Sequence, residues 1–159
     1  MVTLAGGDVF VEYHMRGKYD EHREKSKNAR PDALVILGGE VFFVDVAVTH
    51  PAAPSFVHRA RQSGLRAMEG RKRRKYEQYA RQVDGAVAPF VLESYGTVGD
   101  SAKSFVQKLA AHAADHTGVS LKAFRAQALG ELSVALQRGN AAVALVGQNV
   151  SRSGVFGGR

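Results

Sequence analysis

The chain has 159 residues, 45% of them hydrophobic, with 22 lysines and arginines against 15 aspartates and glutamates. This composition favours one globular domain over a disordered chain or a multi-domain array. The lack of cysteine excludes disulfides, thiolate metal sites, iron–sulfur clusters and a cysteine nucleophile, so oxygen or imidazole would hold any metal. No apolar run approaches the ~18 residues of a membrane span, and the first ten residues lack signal-peptide features. We therefore expect a soluble intracellular protein without a membrane partner.

The net charge of +7 is concentrated in one segment. Residues 59–81 hold nine basic side chains and two acidic ones, so the rest of the chain sums to zero. Residues 16–30 are a second, weaker basic stretch. A concentrated positive charge is typical of a surface that contacts a polyanion, whereas the alternative is a solvated helix face.

The first half of the chain predicts strands. Residues 8–15 indicate a strand, and residues 16–30 a long surface loop or a poorly formed helix. Two apolar runs, residues 33–37 and 41–48, are joined by Gly38-Gly39, which predicts a hairpin with a type I′ or II′ turn. The second run, VFFVDVAV, is apolar on both faces, as in a central strand of an α/β sheet covered on both sides.

The middle of the chain predicts a loop, a helix and a strand. Residues 50–54 (HPAAP) form a loop, and residues 55–83 a helix with candidate breaks at Gly64 and Gly70. Residues 86–93 form a strand, which Pro89 places at a sheet edge or at a bulge.

Two further helices and a tail follow. We expect one helix capped by Asp100 or Ser101 and another capped by Ser120. Their predicted core residues are Phe105, Val106, Leu109 and Ala113 in the first helix, and Leu121, Phe124, Leu129 and Leu132 in the second. Residues 151–159 look like a flexible tail, which leaves a single domain over residues 1–150.

Two aspartates are predicted to lie side by side. Asp45 stands in the middle of the apolar strand, where an ionised carboxylate without partners costs several kcal/mol. A turn at Gly38-Gly39 places Asp32 opposite Asp45, with Cβ atoms ~4.5–5.5 Å apart. A bridging Mg²⁺ or Mn²⁺ would stabilise such a pair. Alternatively, Asp32 only ends a strand after Pro31 and Asp45 has a backbone or arginine partner; a register slip of one residue would place them on opposite faces.

The helix that follows carries lysines near this pair. Lys72 fills the gap between Met68 and Tyr76 in the apolar stripe, so its ammonium is predicted to face the sheet. Lys75 lies one turn further on. Two acids, a divalent cation and a lysine supply what phosphodiester hydrolysis needs: an activated water molecule and positive charge beside the phosphate.

These residues resemble a known family. Pro31-Asp32, twelve intervening residues and Asp45 match the PD-x12-D spacing of the PD-(D/E)XK nuclease superfamily. The chain resembles in particular the restriction-like endonuclease domain of non-LTR retrotransposons, over most of residues 29–140. The similar segments are RPDALV, FVDVAVTHPAAPS, KRRKYEQY, PFVLES and LSVALQRGNA. The superfamily's usual lysine position is Ala47 here, but the retrotransposon branch carries its lysine on the next helix as KxxKY, which Lys72, Lys75 and Tyr76 match.

The resemblance implies a PD-(D/E)XK restriction-endonuclease-like core: a small mixed sheet flanked by helices, with additional C-terminal helices. It implies an Mg²⁺- or Mn²⁺-dependent DNA endonuclease whose nick supplies a 3′-hydroxyl for reverse transcription. A covalently linked reverse transcriptase and a nuclear location in a eukaryotic retroelement follow as expectations. Whether two copies associate as a homodimer to cut both strands is left open by the sequence. The alternatives are a catalytically inactive DNA-binding module of the same fold, or a stand-alone Holliday-junction-resolvase-like or repair nuclease.

The predicted site residues fall into four groups. The catalytic candidates are Asp32, Asp45, Lys72 and Lys75. The metal-ligand candidates are the two aspartates, the backbone carbonyl of Val46 and Glu12. The DNA-binding candidates are Arg71, Arg73, Arg74, Arg66, Arg59, Arg61, Lys25, Lys27 and Arg30. Further candidates are Tyr76, His50 and Glu93.

Overall fold

The computed structural model describes residues 1–11, 30–52 and 61–154 as a mixed α/β fold. A 3-10 helix at Thr3–Ala5 precedes the strands β1 (Asp8–Val11), β2 (Ala33–Leu37) and β3 (Glu40–Thr49). Helix α1 (Arg61–Gln82), strand β4 (Ala86–Glu93) and the helices α2 (Asp100–Thr117) and α3 (Leu121–Gly154) follow. None of the described helices is long and apolar enough to cross a membrane.

The four strands form one sheet in the order β1-β2-β3-β4. The first three are antiparallel, and β4 runs parallel to β3. The predicted hairpin is confirmed in its register, which pairs Leu37 with Glu40 and Ala33 with Val44. Gly38 and Gly39 both have positive φ, 58° and 85°, as a type I′ turn requires. Because β4 is the edge strand, the predicted edge position of Pro89 is confirmed as well.

Helices cover both faces of β3 over its first half. Phe43 packs against Tyr76 and Ala80 of α1. On the other face, Phe42 contacts Phe105 of α2 edge to face. The prediction of two-sided burial therefore holds through Asp45 but is wrong for the end of the strand, where Val46 and Val48 are 44% and 54% exposed.

Helix α1 is continuous, so the candidate breaks at Gly64 and Gly70 are not present. Leu65, Tyr76 and Ala80 are buried along its inward face. Packing of this face against the sheet outweighs the roughly 1 kcal/mol that each internal glycine costs a helix. Residues 55–60 of the predicted helix lie outside the described residues.

The cap of α2 differs from the prediction. Gly99 is the N-cap and makes no side-chain cap bond. The carboxylate of Glu69, a buried residue of α1, instead accepts a hydrogen bond from the Ser101 backbone N–H at 2.9 Å. A carboxylate of α1 thus accepts the hydrogen bond from the first turn of α2 that the side chain of Asp100 or Ser101 was expected to accept. This contact connects α2 to α1.

Helix α3 begins as predicted and ends later. The Ser120 hydroxyl accepts a hydrogen bond from the Ala123 N–H at 3.2 Å, which confirms it as the cap. The helix then continues to Gly154, four residues into the predicted tail, while residues 155–159 lie outside the described part. All predicted core residues of α2 are buried, whereas Leu129 of α3 is exposed.

The N-terminal prediction is covered only in part. Strand β1 ends at Val11, the last described residue before the gap, so the end of the predicted strand 8–15 lies outside the described residues. The same holds for nearly all of the predicted loop at residues 16–30.

We predict that Gly39→Ala destabilises the protein by about 1–2 kcal/mol, because an L-residue at φ 85° is strained. A Cβ at this position would meet nothing within 4 Å, so the change in stability would report the backbone conformation alone. Gly130→Ala in α3 is the matched control: it also points into open space, and we expect it to stabilise by about 0.5–1 kcal/mol. Urea denaturation of both variants measures the two values, and unchanged stability in Gly39→Ala would contradict the type I′ turn.

Candidate active site

The carboxylate of Asp45 is the centre of the candidate site. The residue is 3% exposed, and its position in β3 directs the side chain toward α1. Lys72 forms an ion pair with Asp45 Oδ2, and the Tyr76 hydroxyl donates to Oδ1 at 2.7 Å. The buried negative charge therefore has a cation and a hydrogen-bond donor, both supplied by one helix.

The two predicted lysines have different surroundings. The predicted orientation of Lys72 toward the sheet is confirmed, and its side chain is 18% exposed. Lys75 is exposed, and its ammonium lies 4.7 Å from the centroid of the Tyr76 ring, a cation–π contact. Within the described residues, Lys75 makes no ion pair with Asp32 or Asp45, so of the two lysines only Lys72 contacts an acid of the pair, Asp45.

Asp32 lies at the end of the hairpin, one residue before β2. The ladder ends with Ala33 and Val44, one residue short of the predicted pairing of Asp32 with Asp45. Continued in register, the residue opposite Val46 would be Pro31, which offers a carbonyl to accept the Val46 N–H but no N–H to donate to the Val46 carbonyl. Asp32 Oδ2 accepts the Val46 N–H instead, at 2.7 Å. The Val46 carbonyl points to the same side of the strand, toward a residue that cannot donate to it.

Tyr76 joins the two halves of the site. Its side chain is fully buried, and its hydroxyl lies 2.7 Å from both Asp45 Oδ1 and the carbonyl oxygen of Arg30. Burial raises the pKa of the tyrosine far above its usual range, and the hydrogen bond to Asp45 and the charges of Asp45 and Asp32 add to the increase. The predicted position of Tyr76 in the apolar stripe is confirmed, because its side chain is buried, but its hydroxyl contacts were not predicted. Its i+4 spacing from Lys72 is the signal that places the two residues on the same face.

The site offers hard oxygen donors. Asp45 Oδ2 is buried without a hydrogen bond of good geometry, and the Lys72 ammonium is its counter-charge. Together with the Asp32 carboxylate and the Val46 carbonyl, this oxygen suits Mg²⁺ or Mn²⁺ better than a softer ion. Within residues 1–11, 30–52 and 61–154, no group of three or more His, Cys, Asp or Glu side chains could hold a metal. Glu12, the candidate third acid, lies outside these ranges.

Other predicted residues lie farther from the aspartates. His50 follows β3, its Nδ1 accepts the Ala52 N–H at 3.1 Å, and its ring lies 5.1 Å from that of Tyr95. Glu93 is buried at the end of β4, four residues beyond the Asp45 partner Pro89, or roughly 13 Å along the strand. The structure therefore does not bring Glu93 into the acid pair.

The basic residues of α1 lie on more than one side of the helix. Four of them have exposed side chains: Arg66, Arg71, Arg73 and Arg74. Arg73 lines a cavity together with residues of β4 and α2. Arg66 lies 3.9 Å from the carboxylate of Asp100, a contact between two exposed side chains. Arg30 contributes its carbonyl oxygen to the Tyr76 contact. The side chain of Arg61 and all of Arg59, Lys25 and Lys27 lie outside what the structure describes.

Comparison of the chain with protein-family models, with curated proteins and with solved structures gave no match. The functional interpretation therefore rests on the residues and geometry of the site.

We predict that Tyr76→Phe destabilises the protein by about 1–3 kcal/mol at neutral pH, because the buried Asp45 carboxylate loses the hydroxyl that donates to its Oδ1. The wild type should also lose stability as the pH rises above about 10, where the unfolded tyrosine ionises and the folded one, with its raised pKa, does not. Chemical denaturation at several pH values between roughly 7 and 11 measures both effects.

The matched control is Tyr79→Phe, since Tyr79 is only half-buried and its hydroxyl has no hydrogen bond within the described residues. This control should be nearly neutral and should keep the wild-type decrease of stability above about pH 10. An equally steep alkaline decrease in Tyr76→Phe would show that Tyr76 is not its source.

Proposed function

We propose that the chain is a divalent-metal-dependent DNA endonuclease with a restriction-like active site. The observation that carries the proposal is the ion pair between Lys72 and the buried carboxylate of Asp45, formed beside Asp32 at the end of the hairpin. Two acids that can hold a divalent cation and a lysine supply an activated water molecule and positive charge beside the phosphate, which phosphodiester hydrolysis uses. Their PD-x12-D and KxxKY spacing matches the family that the sequence resembles.

Each residue of the site has a separate role in the proposed reaction. Asp32, Asp45 and the Val46 carbonyl would hold Mg²⁺ or Mn²⁺, which when bound lowers the pKa of a coordinated water and offsets phosphate charge. The Lys72 ammonium offsets negative charge on the phosphate, and Tyr76 keeps the Asp45 carboxylate oriented. Water adds to phosphorus as the P–O3′ bond breaks, which leaves a 3′-hydroxyl and a 5′-phosphate.

The outer side of α1 supplies the DNA contacts. Arg71, Arg74 and Lys75 are exposed on the same helix whose inner side carries Lys72 and Tyr76. Positive side chains in this arrangement bind phosphates without reading bases. We therefore propose that α1 holds the DNA backbone while its inner residues act on one phosphate.

The proposed biological setting follows from the family that the sequence resembles. It is a target-site nicking domain of a non-LTR retrotransposon protein, linked to a reverse transcriptase that extends the new 3′-hydroxyl. A stand-alone nuclease for branched DNA is the alternative. The two are distinguished by the cleavage rates of linear, bubble and four-way DNA, since the alternative predicts that a branched substrate is cut fastest.

We predict that the chain nicks supercoiled plasmid in the presence of Mg²⁺ or Mn²⁺, and that Asp45→Asn and Asp32→Asn each lower the rate by about 100-fold or more. Asp115→Asn is the control, because Asp115 is an exposed aspartate of α2, the helix that covers the face of the sheet opposite to Asp45. The measurement is the initial rate of open-circle formation on an agarose gel. Nicking that survives unchanged in Asp45→Asn would show that another site or a contaminant cuts the DNA.

We predict that removing two outer arginines, as in Arg71→Ala/Arg74→Ala, flattens the salt dependence of DNA binding. The slope of log K against log salt should fall by roughly 0.9 for each phosphate that the protein no longer neutralises. Arg125→Ala on α3 is the control, since Arg125 is exposed on another helix. Fluorescence anisotropy with a short duplex at several salt concentrations gives the slopes. An unchanged slope in the double variant would show that these arginines of α1 do not contact the DNA. A wild type whose DNA affinity falls steeply with salt but which does not cleave DNA would be the inactive DNA-binding module.

A further inference from the structure

The Lys72 ammonium forms its ion pair with Oδ2 of Asp45, the oxygen atom through which Asp45 would bind a divalent cation. Asp45 Oδ1 is engaged by the Tyr76 hydroxyl, and the other oxygen, Oδ2, is buried against Lys72. A cation that binds Asp45 through Oδ2 must therefore take the place of the ammonium.

We propose that Lys72 is a built-in competitor for the metal: it occupies the cation position on Asp45 and moves onto the phosphate when the metal binds. This inference rests on the proposed function, because it presumes that Asp45 is a metal ligand. It assigns Lys72 two successive partners, first a carboxylate of this chain and then an oxygen of the DNA.

The burial of the two partners favours this exchange. The Asp45 carboxylate is fixed in the sheet, with its side chain 4% exposed, while the Lys72 side chain is 18% exposed and has a flexible four-carbon stem. Displacement therefore moves the lysine and leaves the acid in place. A divalent cation on Asp45 would also repel the ammonium, which would then need another anion.

The phosphate of bound DNA supplies that anion. Metal binding to the protein alone must break the ion pair, and this cost lowers the apparent affinity for the metal. Bound DNA offsets the cost because Lys72 acquires a phosphate partner, so metal and DNA should each tighten the binding of the other. Because Lys72 competes with the metal for Asp45, full occupancy of the metal site depends on bound DNA.

The test is Mn²⁺ binding to the full chain, measured by isothermal titration calorimetry without DNA. Lys72→Gln should bind Mn²⁺ about tenfold or more tighter than the wild type, because the competing charge is gone. Lys75→Gln is the matched control: it removes the same charge one turn away, where the ammonium lies against the Tyr76 ring instead of Asp45, and should change the affinity less than about threefold.

A second measurement uses only the wild type and does not depend on the folding of a variant. Lysine acetylation followed by mass spectrometry should show Lys72 reacting faster when saturating Mn²⁺ is added, because its ammonium leaves Asp45. The other described lysines, such as Lys122 on α3, should react at the same rate with and without the metal.

The outcomes separate this inference from the proposed function. If the wild type binds Mn²⁺ but Lys72→Gln binds it equally or more weakly, or if Mn²⁺ leaves Lys72 acetylation unchanged, Lys72 is not a competitor and the metal site stands. If the wild type, Lys72→Gln and Lys75→Gln all fail to bind Mn²⁺ and the wild type does not nick DNA, the metal-dependent function itself is wrong, and this inference falls with it.

Discussion

The buried carboxylate of Asp45 is the constraint on which the arrangement of the rest depends. An ionised aspartate inside a sheet covered by helices requires a cation and hydrogen bonds close by. Helix α1 supplies both, since Lys72 and Tyr76 lie four residues apart and share one face. The same helix connects the parallel strands β3 and β4, so the crossover that completes the sheet also positions the partners of the acid.

The end of β2 creates the second half of the site. If the pairing of β2 with β3 continued further, the N–H and C=O groups of Val46 would both be used in ordinary hydrogen bonds between strands. Pro31 has no N–H to donate to the Val46 carbonyl, and the Asp32 side chain accepts the Val46 N–H. The interruption leaves the exposed carboxylate of Asp32 next to the buried carboxylate of Asp45 at the end of the hairpin. Tyr76 then holds both sides together through Asp45 and the carbonyl oxygen of Arg30.

The local parts of this arrangement could be predicted from the sequence. The Gly38-Gly39 turn fixes the hairpin register, and the helical period of the apolar stripe places Lys72 toward the sheet, because both depend on short-range geometry. The Tyr76 hydroxyl contacts and the Glu69 cap could not be predicted, since they join residues 31 to 46 positions apart. The unbroken α1 escaped prediction for a similar reason: its glycines are tolerated through packing that no local propensity contains. The role of Glu12 and the basic stretch at residues 16–30 stays a prediction.

A stability argument alone does not account for Asp45. Replacing a buried ion pair by well-packed apolar residues is often neutral or stabilising, and the neighbours Phe43 and Val44 show that this strand accommodates such residues. Asp32 has a structural partner of its own in the Val46 N–H, but its carboxylate is exposed to solvent and gains little from burial. The proposed exchange of Lys72 between Asp45 and a phosphate would account for the combination of a buried acid, an exposed acid and a lysine that can reach water. On this proposal, the structural cost of burying Asp45 would be the condition for exchanging one cation for another on its carboxylate, because opposite charges attract more strongly where water is excluded.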